Sequence, residues 1–280
     1  MPELPEVQTI ITNLLNQKIV NHKIVGVNFY KTKILKNCSP KQFVNFLKGE
    51  KILNIERIGK YIIFKLSNKK QLVVHLRMEG KLFYESNLKK PDLRFLMLSI
   101  IFDNKYRLSY YDMRMFGTFN IYKNDEYLLS KEIKKVAIDP LNKECTGKFL
   151  EQKCKIINRA IKTVLLDQTI VSGIGNIYVD EILFKSKIHP LTKPKYLKSE
   201  QYDLIAKNAK LVLKDAIKHK GTTVASYKFD PNHTGGYQSR LLVHTKAGQL
   251  CPICKTIIKK IKVNGRGTYF CPNCQKQVGK

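Results

Sequence analysis

Four cysteines towards the C-terminal end constrain the fold most strongly, because they form two Cys-x-x-Cys pairs with sixteen residues between them. The pairs are Cys251 with Cys254 and Cys271 with Cys274. Two turns of this kind place four thiolates around one tetrahedral ion, and the spacing is typical of a structural zinc site. A segment this short has too little apolar core to fold without the metal. We therefore expect one structural Zn²⁺. Two disulfide bonds are the alternative, which suits a cytoplasmic chain poorly.

The segment between the two pairs predicts a β-hairpin. Its sequence is KTIIKKIKVNGRGTYF, in which Asn264 followed by Gly265 is a strong signal for a tight two-residue turn. Arg266 would then lie at the tip of a hairpin held by the metal. Such an arginine can reach a phosphate or a narrow groove of a nucleic acid, and a solvated arginine on a turn is the alternative.

The charge balance predicts a polyanionic partner. The chain of 280 residues has 51 Lys and Arg against 22 Asp and Glu, a formal net charge of +29. Nucleic acid is the expected partner, although a lysine-rich genomic composition is an alternative explanation of the excess. No apolar run approaches the roughly 18 residues of a membrane span, and no secretory signal is evident. We therefore expect a globular cytoplasmic protein with no membrane partner.

The hydrophobic pattern changes along the chain and predicts its organisation. Apolar residues at helical spacing over 7–15 predict an amphipathic helix, and short β-type runs over about 20–122 predict an antiparallel sandwich or barrel. Helical patterns take over from about 148. The polar stretch 221–240 has the composition of a long functional or disordered loop.

We therefore predict an α+β multidomain chain with an N-terminal antiparallel β-sandwich and flanking helix, a helical domain and a C-terminal β-hairpin zinc finger. The predicted bounds are 1–130 for the sandwich, 131–147 for a linker, 148–240 for the helical domain with the polar loop, and 241–280 for the finger.

The opening residues MPELPEV are only partly explained by helix formation. Pro5 suits the first helical turn, and Glu6 carries the negative charge that a helix N-terminus favours. Neither preference accounts for Pro2 and Glu3.

Seven stretches of the chain together resemble the bacterial formamidopyrimidine-DNA glycosylases, which repair 8-oxoguanine and ring-opened purines. They are MPELPEV, GKYIIF, HLRMEG, DMRMFGTF, DQTIVSGIGNIYVDEILF, GTTVASY and RGTYFCPNCQK, in the family's order. The resemblance implies that the helical domain is a helix-two-turn-helix domain and that DNA binds in the cleft between the domains. It also implies a monomer that acts on double-stranded DNA containing oxidised purines, at the bacterial nucleoid.

The resemblance gives the opening residues a chemical role. Removal of Met1 would free Pro2 as a secondary amine, and because an α-amino group titrates near pH 8, part of it is nucleophilic at neutral pH. Attack on the sugar C1′ yields an iminium ion that acidifies the C2′ proton, which permits β- and then δ-elimination. Glu3 is the expected acid and base at the sugar ring oxygen. Glu6 would tune Glu3 or hold the N-terminus.

Further residues match the family's site positions. Lys60 in GKY resembles the essential lysine that contacts the phosphate and assists proton transfer, and Arg266 resembles the finger arginine that grips phosphates during δ-elimination. Asn176 in GNIY matches a phosphate-binding asparagine, and Lys162 is expected to make a further contact with the DNA backbone.

Three residues match the family's fillers of the gap that an extruded base leaves: Met78, Arg114 and Phe116. Thioether and aromatic side chains can replace lost stacking, and an arginine can bind the estranged cytosine. Core packing of Met78 and Phe116 is the alternative. The loop around 222–240 resembles the segment that closes over the extruded 8-oxoguanine.

Two departures from the family pattern concern DNA affinity. Met115 stands where the family often has a second basic residue. In KKPDLRF, Lys89 and Lys90 replace a segment that contains histidine in the family, and Lys90 is expected to contact DNA. Neither departure involves Pro2 or Glu3.

These observations predict a bifunctional DNA glycosylase and AP lyase of base excision repair that excises 8-oxoguanine and formamidopyrimidines. One alternative is an endonuclease VIII-like glycosylase for oxidised pyrimidines, which more often opens PEGPE and lacks the long loop. The other is a non-catalytic DNA-binding protein, against which the intact Pro2, Glu3 and Lys60 argue.

Overall fold

The computed structural model describes residues 1–223 and 234–279, so most of the predicted lesion-recognition loop lies outside the described residues. The chain forms two compact units. The first comprises residues 1–134 and 220–236, and the second comprises residues 135–219 and 237–280. Each unit is described separately below.

The first unit begins with the predicted amphipathic helix α1 (Leu4–Asn16). Glu3 is its N-cap, and Pro5 lies in the first turn, where the missing N–H of proline costs no helical hydrogen bond. Its apolar face is fully buried, with Val7, Ile10 and Leu14 each at most 1% exposed. Burial of this face fixes the N-terminal end of the helix against the unit's core.

In the described part of this unit, eight strands form two antiparallel sheets. Their bounds are β1 (Ile24–Phe29), β2 (Ile52–Ile58), β3 (Tyr61–Leu66), β4 (Lys70–His75), β5 (Lys81–Ser86), β6 (Leu96–Phe102), β7 (Tyr106–Tyr111) and β8 (Thr118–Lys123). The strand orders are β1-β6-β7-β5 and β2-β3-β4-β8. A second helix, α2 (Pro40–Leu47), lies between β1 and β2 in the chain.

One hydrophobic core combines side chains from both sheets with those of the two helices. Phe64 comes from one sheet and Phe102 from the other, and Phe43 of α2 packs edge-on against Phe119. Two separate sheets around a shared core make this a sandwich, so the sandwich prediction is confirmed over the barrel.

The second unit is helical and ends in the predicted hairpin. Its helices are α3 (Gly147–Cys154), α4 (Ile161–Leu165), α5 (Asn176–Lys185) and α6 (Ser199–Lys218), and α6 packs against α3 and α5. Strands β9 (Lys259–Val263) and β10 (Arg266–Phe270) pair in antiparallel register. Asn264 and Gly265 join them with φ of 47° and 74°, the two positive values that a type I′ turn requires.

Among the residues that the structure describes, no helix combines the length and the apolar character needed to cross a membrane.

Candidate active site

The N-terminal end of α1 holds the predicted catalytic residues in a buried position. Pro2 is buried, and Glu3 and Glu6 are each 2% exposed. The two glutamates form a capping box, in which the Glu3 backbone N–H donates to Glu6 Oε2 at 2.8 Å. The sequence spacing E-x-x-E therefore fixes the backbone that directly follows the expected nucleophile, Pro2.

The second oxygen of Glu6 binds a distant part of the same unit. Glu6 Oε1 accepts the backbone N–H of Thr222 at 2.8 Å. Gly221 permits this approach, because its φ is +73° and a Cβ there would lie 2.7 Å from Glu6 Oε1. Of the two roles expected for Glu6, this geometry favours holding the N-terminus.

Lys60 occupies the turn between β2 and β3. Gly59 precedes it with a φ of +57°, and the Lys60 side chain is largely buried, with 6% exposed. Burial, together with the charges of Arg77 and Lys60, lowers the pKa of His75 to about 3, so this imidazole is neutral. His75 Nδ1 accepts the backbone N–H of Arg77 at 3.0 Å. A positive lysine therefore lies near a histidine that adds no second charge.

The predicted gap-filling residues lie on the surface of the first unit. Met78 is 41% and Phe116 is 49% exposed, which excludes the alternative of core packing. The Arg114 guanidinium lies 4.7 Å from the centroid of the Phe116 ring, within the range of a cation–π contact.

A buried carboxylate that the sequence reasoning missed holds the loop between β7 and β8, which contains Arg114 and Phe116. Asp112 is 1% exposed, and its oxygens accept the N–H groups of Arg114 at 3.0 Å and Gly117 at 2.8 Å, and the Tyr110 hydroxyl at 2.9 Å. An aspartate that binds the backbone two residues on is a recognised turn signal, and it was visible in the sequence DMR.

The two departures from the family pattern have different surroundings. Met115, with a φ of 54°, is partly buried and packs against the sandwich core. Lys90 is exposed and lines a cavity of about 500 Å³ with Phe95 and Tyr111. Lys89 is exposed as well, so both lysines, unlike Met115, lie on the surface as a phosphate contact would require.

The four finger cysteines are arranged to hold one metal ion. All four sulfur atoms lie within 4.8 Å of one another, with Cys254 Sγ 3.4 Å from Cys271 Sγ and Cys251 Sγ 3.9 Å from Cys274 Sγ. A tetrahedron with Zn–S bonds of about 2.3 Å has sulfur–sulfur edges of roughly 3.8 Å. The arrangement fits one structural zinc ion, as predicted.

The finger tip is anchored at the residue after Arg266. The carbonyl oxygen of Gly267 accepts two hydrogen bonds, one from Lys162 Nζ and one from Asn176 Nδ2, both at 3.1 Å. The Asn176 Oδ1 atom is buried and has no hydrogen-bond partner in the described part of the chain. Arg266 itself is exposed.

The burial of Lys162 disagrees with the DNA contact predicted for it. Its side chain is fully buried, and Nζ lies 2.8 Å from both Asp180 Oδ1 and Thr268 Oγ1. A lysine with no exposed surface cannot make the direct contact with the DNA backbone that was expected. It instead joins α4, α5 and the finger strand β10, because an ammonium with three donors can bind three acceptors at once.

Two acidic residues of α5 that the sequence reasoning missed complete this anchor. Asp180 Oδ2 lies 2.8 Å from His244 Nδ1 and accepts the Tyr269 N–H at 3.2 Å. The Glu181 carboxylate accepts three consecutive backbone N–H groups, at 2.8–3.0 Å, from Leu242, Val243 and His244. The available signal was the pair of acidic residues inside the apolar run YVDEILF, since buried charges are rare unless paired.

Comparisons with known proteins match nearly the whole chain. Residues 1–119 match the formamidopyrimidine-DNA glycosylase N-terminal domain, residues 136–228 its H2TH domain, and residues 248–277 a zinc finger found in FPG and IleRS. The formamidopyrimidine-DNA glycosylase of Ureaplasma parvum is 50% identical over 98% of this chain and 100% of its own. The formamidopyrimidine-DNA glycosylase of Mycoplasma pneumoniae is 46% identical over 99% of this chain and 100% of its own.

Comparison with solved structures leads to the same family as the sequence comparisons. A complex of a Lactococcus lactis FPG variant with DNA containing Fapy-dG has a TM-score of 0.92, at 36% identity, over 99% of this chain and 100% of that one. The Lactococcus lactis Fpg complex with DNA containing an abasic site has a TM-score of 0.91, at 36% identity, over 98% of this chain and 100% of that one. Likeness at this level over nearly the full length shows that the chain belongs to the formamidopyrimidine-DNA glycosylase family, the DNA glycosylases of base excision repair.

Proposed function

We propose that the protein is a monomeric, bifunctional glycosylase and AP lyase that removes 8-oxoguanine and formamidopyrimidines from double-stranded DNA. The observation that carries the proposal is the N-terminal end of α1, where Glu6 accepts the N–H groups of both Glu3 and Thr222. This arrangement holds Pro2 and Glu3 in a fixed, buried position, as a nucleophile and its acid partner require.

Pro2 is the proposed nucleophile once Met1 is removed. Its nitrogen then becomes a secondary amine, which attacks C1′ of the damaged nucleotide, loses its own proton and displaces the base. Opening of the sugar ring gives an iminium ion. Because that nitrogen has no proton left to lose, the positive charge stays and acidifies C2′.

Two eliminations follow from the iminium ion. Loss of a C2′ proton supplies the electron pair that expels the 3′-phosphate, and loss of a C4′ proton then expels the 5′-phosphate. Glu3 donates a proton to the ring oxygen as the ring opens and accepts a proton in the later steps. The product is a one-nucleotide gap with a phosphate at each end.

Lys60 is the proposed phosphate contact and proton-transfer partner in this unit. Its position close enough to His75 to influence that pKa supports this role, because the imidazole remains neutral and does not compete for anions or repel the ammonium. A lysine in a largely buried turn also loses little side-chain freedom when it binds a phosphate.

The second unit is proposed to hold the DNA backbone through Arg266 and Asn176. An exposed arginine on a metal-held hairpin suits a phosphate, and the Asn176 amide has a second N–H besides the one given to Gly267. Lys162 contributes indirectly, since it fixes the Gly267 carbonyl beside Arg266.

Met78, Arg114 and Phe116 are proposed to fill the gap that the extruded base leaves. Their exposure and the contact of Arg114 with the Phe116 ring support this role, because an exposed, partly apolar wedge can replace a base in the stack. Lys90 is proposed as a further phosphate contact.

Borohydride trapping tests the proposal. A duplex with one 8-oxoguanine opposite cytosine, incubated with protein of confirmed Met-free N-terminus, should give a covalent adduct, and mass spectrometry should locate it at Pro2. Pro2→Gly should lower the trapping yield at least about tenfold with unchanged DNA affinity. Pro40→Gly, at an exposed proline that begins α2, is the matched control and should trap normally.

A parallel duplex with an oxidised pyrimidine completes the test. Preferential trapping on that duplex would assign the protein to the endonuclease VIII-like class. Absence of any adduct would refute the assigned nucleophile and leave a DNA-binding protein without this chemistry.

A further inference from the structure

A cavity next to the finger tip contains an arginine to which no role has yet been assigned. It measures about 160 Å³ and lies within the second unit, between the segment that contains α4 and the hairpin turn. Its lining residues are Arg159, Thr163, Leu166, Asp167, Asn264 and Arg266. Two arginines from segments more than a hundred residues apart in sequence therefore share one small, polar cavity.

The cavity carries a net positive charge. Arg159 Nη2 binds Asp167 Oδ2 at 3.0 Å, so one arginine is neutralised. Burial alone would raise the pKa of Asp167, but hydrogen bonds from Thr169 and Arg159 lower it, so Asp167 remains a carboxylate. In the part of the chain that the structure describes, no carboxylate lies within ion-pair distance of Arg266. One positive charge is left for a ligand.

The ion pair also orients Arg159. A guanidinium has five N–H donors in a rigid fork, and the bond to Asp167 occupies only part of it. The remaining donors of Arg159, those of Arg266, the Thr163 hydroxyl and the Asn264 amide belong to residues that line the same cavity, so one anion there has several donors available. Because arginine does not deprotonate in proteins, the positive charge that Asp167 leaves unneutralised is balanced by a bound anion and not by loss of a proton.

We propose that Arg159, Arg266, Thr163 and Asn264 form a phosphate-binding subsite at the finger tip. The cavity of about 160 Å³ is large enough for one phosphate group, since a single water needs only about 10–15 Å³ of such volume. The subsite rests on the proposed function in one respect, namely that DNA supplies the phosphate. A diester of the continuous strand and a monoester at a cleaved end share this chemistry.

Salt dependence of DNA binding tests the subsite without any catalytic step. Each phosphate contact contributes about 0.9 to the slope of log affinity against log salt concentration. Arg159→Ala should reduce the slope by about 0.9 and weaken binding about tenfold near 0.1 M salt, whereas Arg159→Lys, which keeps the charge, should retain most of the slope. Lys155→Ala is the control, because Lys155 is equally exposed and pairs with Glu151 at 2.7 Å.

The Asp167→Asn substitution should change the DNA affinity in the opposite direction to Arg159→Ala. It removes the carboxylate that neutralises Arg159, so DNA binding should tighten severalfold if the cavity holds a phosphate. A slope that is unchanged in Arg159→Ala, or reduced equally in Lys155→Ala, would overturn the proposal. So would weaker binding by Asp167→Asn in a variant with a normal unfolding transition.

Three duplexes distinguish the source of the phosphate. They are an intact undamaged duplex, a duplex with a one-nucleotide gap and phosphate ends, and the same gap with hydroxyl ends. An Arg159→Ala defect on all three identifies a diester, and a defect restricted to the phosphate ends identifies a monoester. No defect on any of them would refute the subsite. Since no damaged base is present, this result does not depend on whether the trapping experiment succeeds.

Discussion

The N-terminal end of α1 and the finger hairpin present the two sets of predicted reactive groups, and they are held in place by different means. The first rests on an extensive core shared by two sheets and two helices. In the described part of the chain, the cluster that contains the finger cysteines has five buried residues, of which Phe184 belongs to α5 and two are the metal-binding Cys251 and Cys271. Where apolar core is scarce, a metal and buried charge pairs supply the rigidity.

The difference predicts how each region fails. The finger should lose its structure when a single polar interaction or the metal is removed. The N-terminal end should keep its fold when its polar groups change and should lose mainly its chemistry. Three changes test this contrast.

Loss of zinc should have the largest effect. Structural zinc contributes about 10–16 kcal/mol to folding of small metal-bound units, which is as large as the whole stability of a typical domain. Cys271→Ser, or chelation of the wild type, should therefore unfold the finger and reduce DNA affinity at least about a hundredfold. A metal-sensitive dye measures the zinc, and circular dichroism should show that the sandwich strands persist.

Cys38→Ser is the matched control for this change. Cys38 is a partly buried thiol of the sandwich that packs against its core and lacks metal-ligand spacing. It should retain one zinc per chain and full DNA affinity. Retention of stoichiometric zinc by Cys271→Ser would contradict the four-cysteine site.

The buried ion pair of the finger anchor should give the next largest effect. In Asp180→Asn the Lys162 ammonium would face a neutral amide, and breaking a buried pair in this way costs about 3–5 kcal/mol. Denaturant unfolding measures the loss. Because Gly267 adjoins Arg266, the ratio of δ- to β-elimination products should also fall.

Two comparisons sharpen this prediction. Asp125→Asn removes the same kind of partner from Lys65, but that pair is exposed and should cost less than about 1 kcal/mol. Lys162→Met combined with Asp180→Asn removes both charges and should recover part of the loss. Equal losses from the exposed and buried pairs would show that the anchor does not stabilise the finger.

The sequence predicted the features that depend on neighbouring residues. The cysteine pairs, the Asn264-Gly265 turn and the helix after Pro5 each follow from local spacing or turn chemistry, and the alternating strands predicted the sandwich. Such signals lie within a few residues, so a single sequence contains them.

The finger anchor could not be predicted in this way. Lys162 contacts residues about twenty and a hundred positions away, and its helix has only five residues, too few for a periodic pattern to show which side is buried. In a chain with so many lysines, nothing local distinguishes a buried one. The bond from Glu6 to Thr222 spans 216 residues and was invisible for the same reason.

Glu6→Gln should have the smallest effect on the free energy of unfolding. It tests what the contrast predicts for the N-terminal end of α1. Both Glu6 oxygens accept backbone N–H groups, whereas the glutamine amide would turn an N–H₂ group towards one of these donors. Loss of one such bond costs about 1–3 kcal/mol, which lowers the melting temperature by roughly 2–4 °C per kcal/mol, and the large core beneath α1 should preserve the fold. The rate of trapping, however, should fall at least about tenfold, because Pro2 and Glu3 lose their fixed geometry.

The exposed Glu56→Gln is the control for Glu6→Gln and should change neither the melting temperature nor the rate of trapping. A large stability loss in Glu6→Gln with proportionate loss of trapping would place Glu6 among structural residues like Asp180, and the contrast between the two regions would fail. A normal trapping rate would separate Glu6 from the reaction. Only a slow reaction in a stable protein supports the contrast between the two regions. The polar contacts at the N-terminal end would then position the reactive groups, whereas those of the finger stabilise its fold.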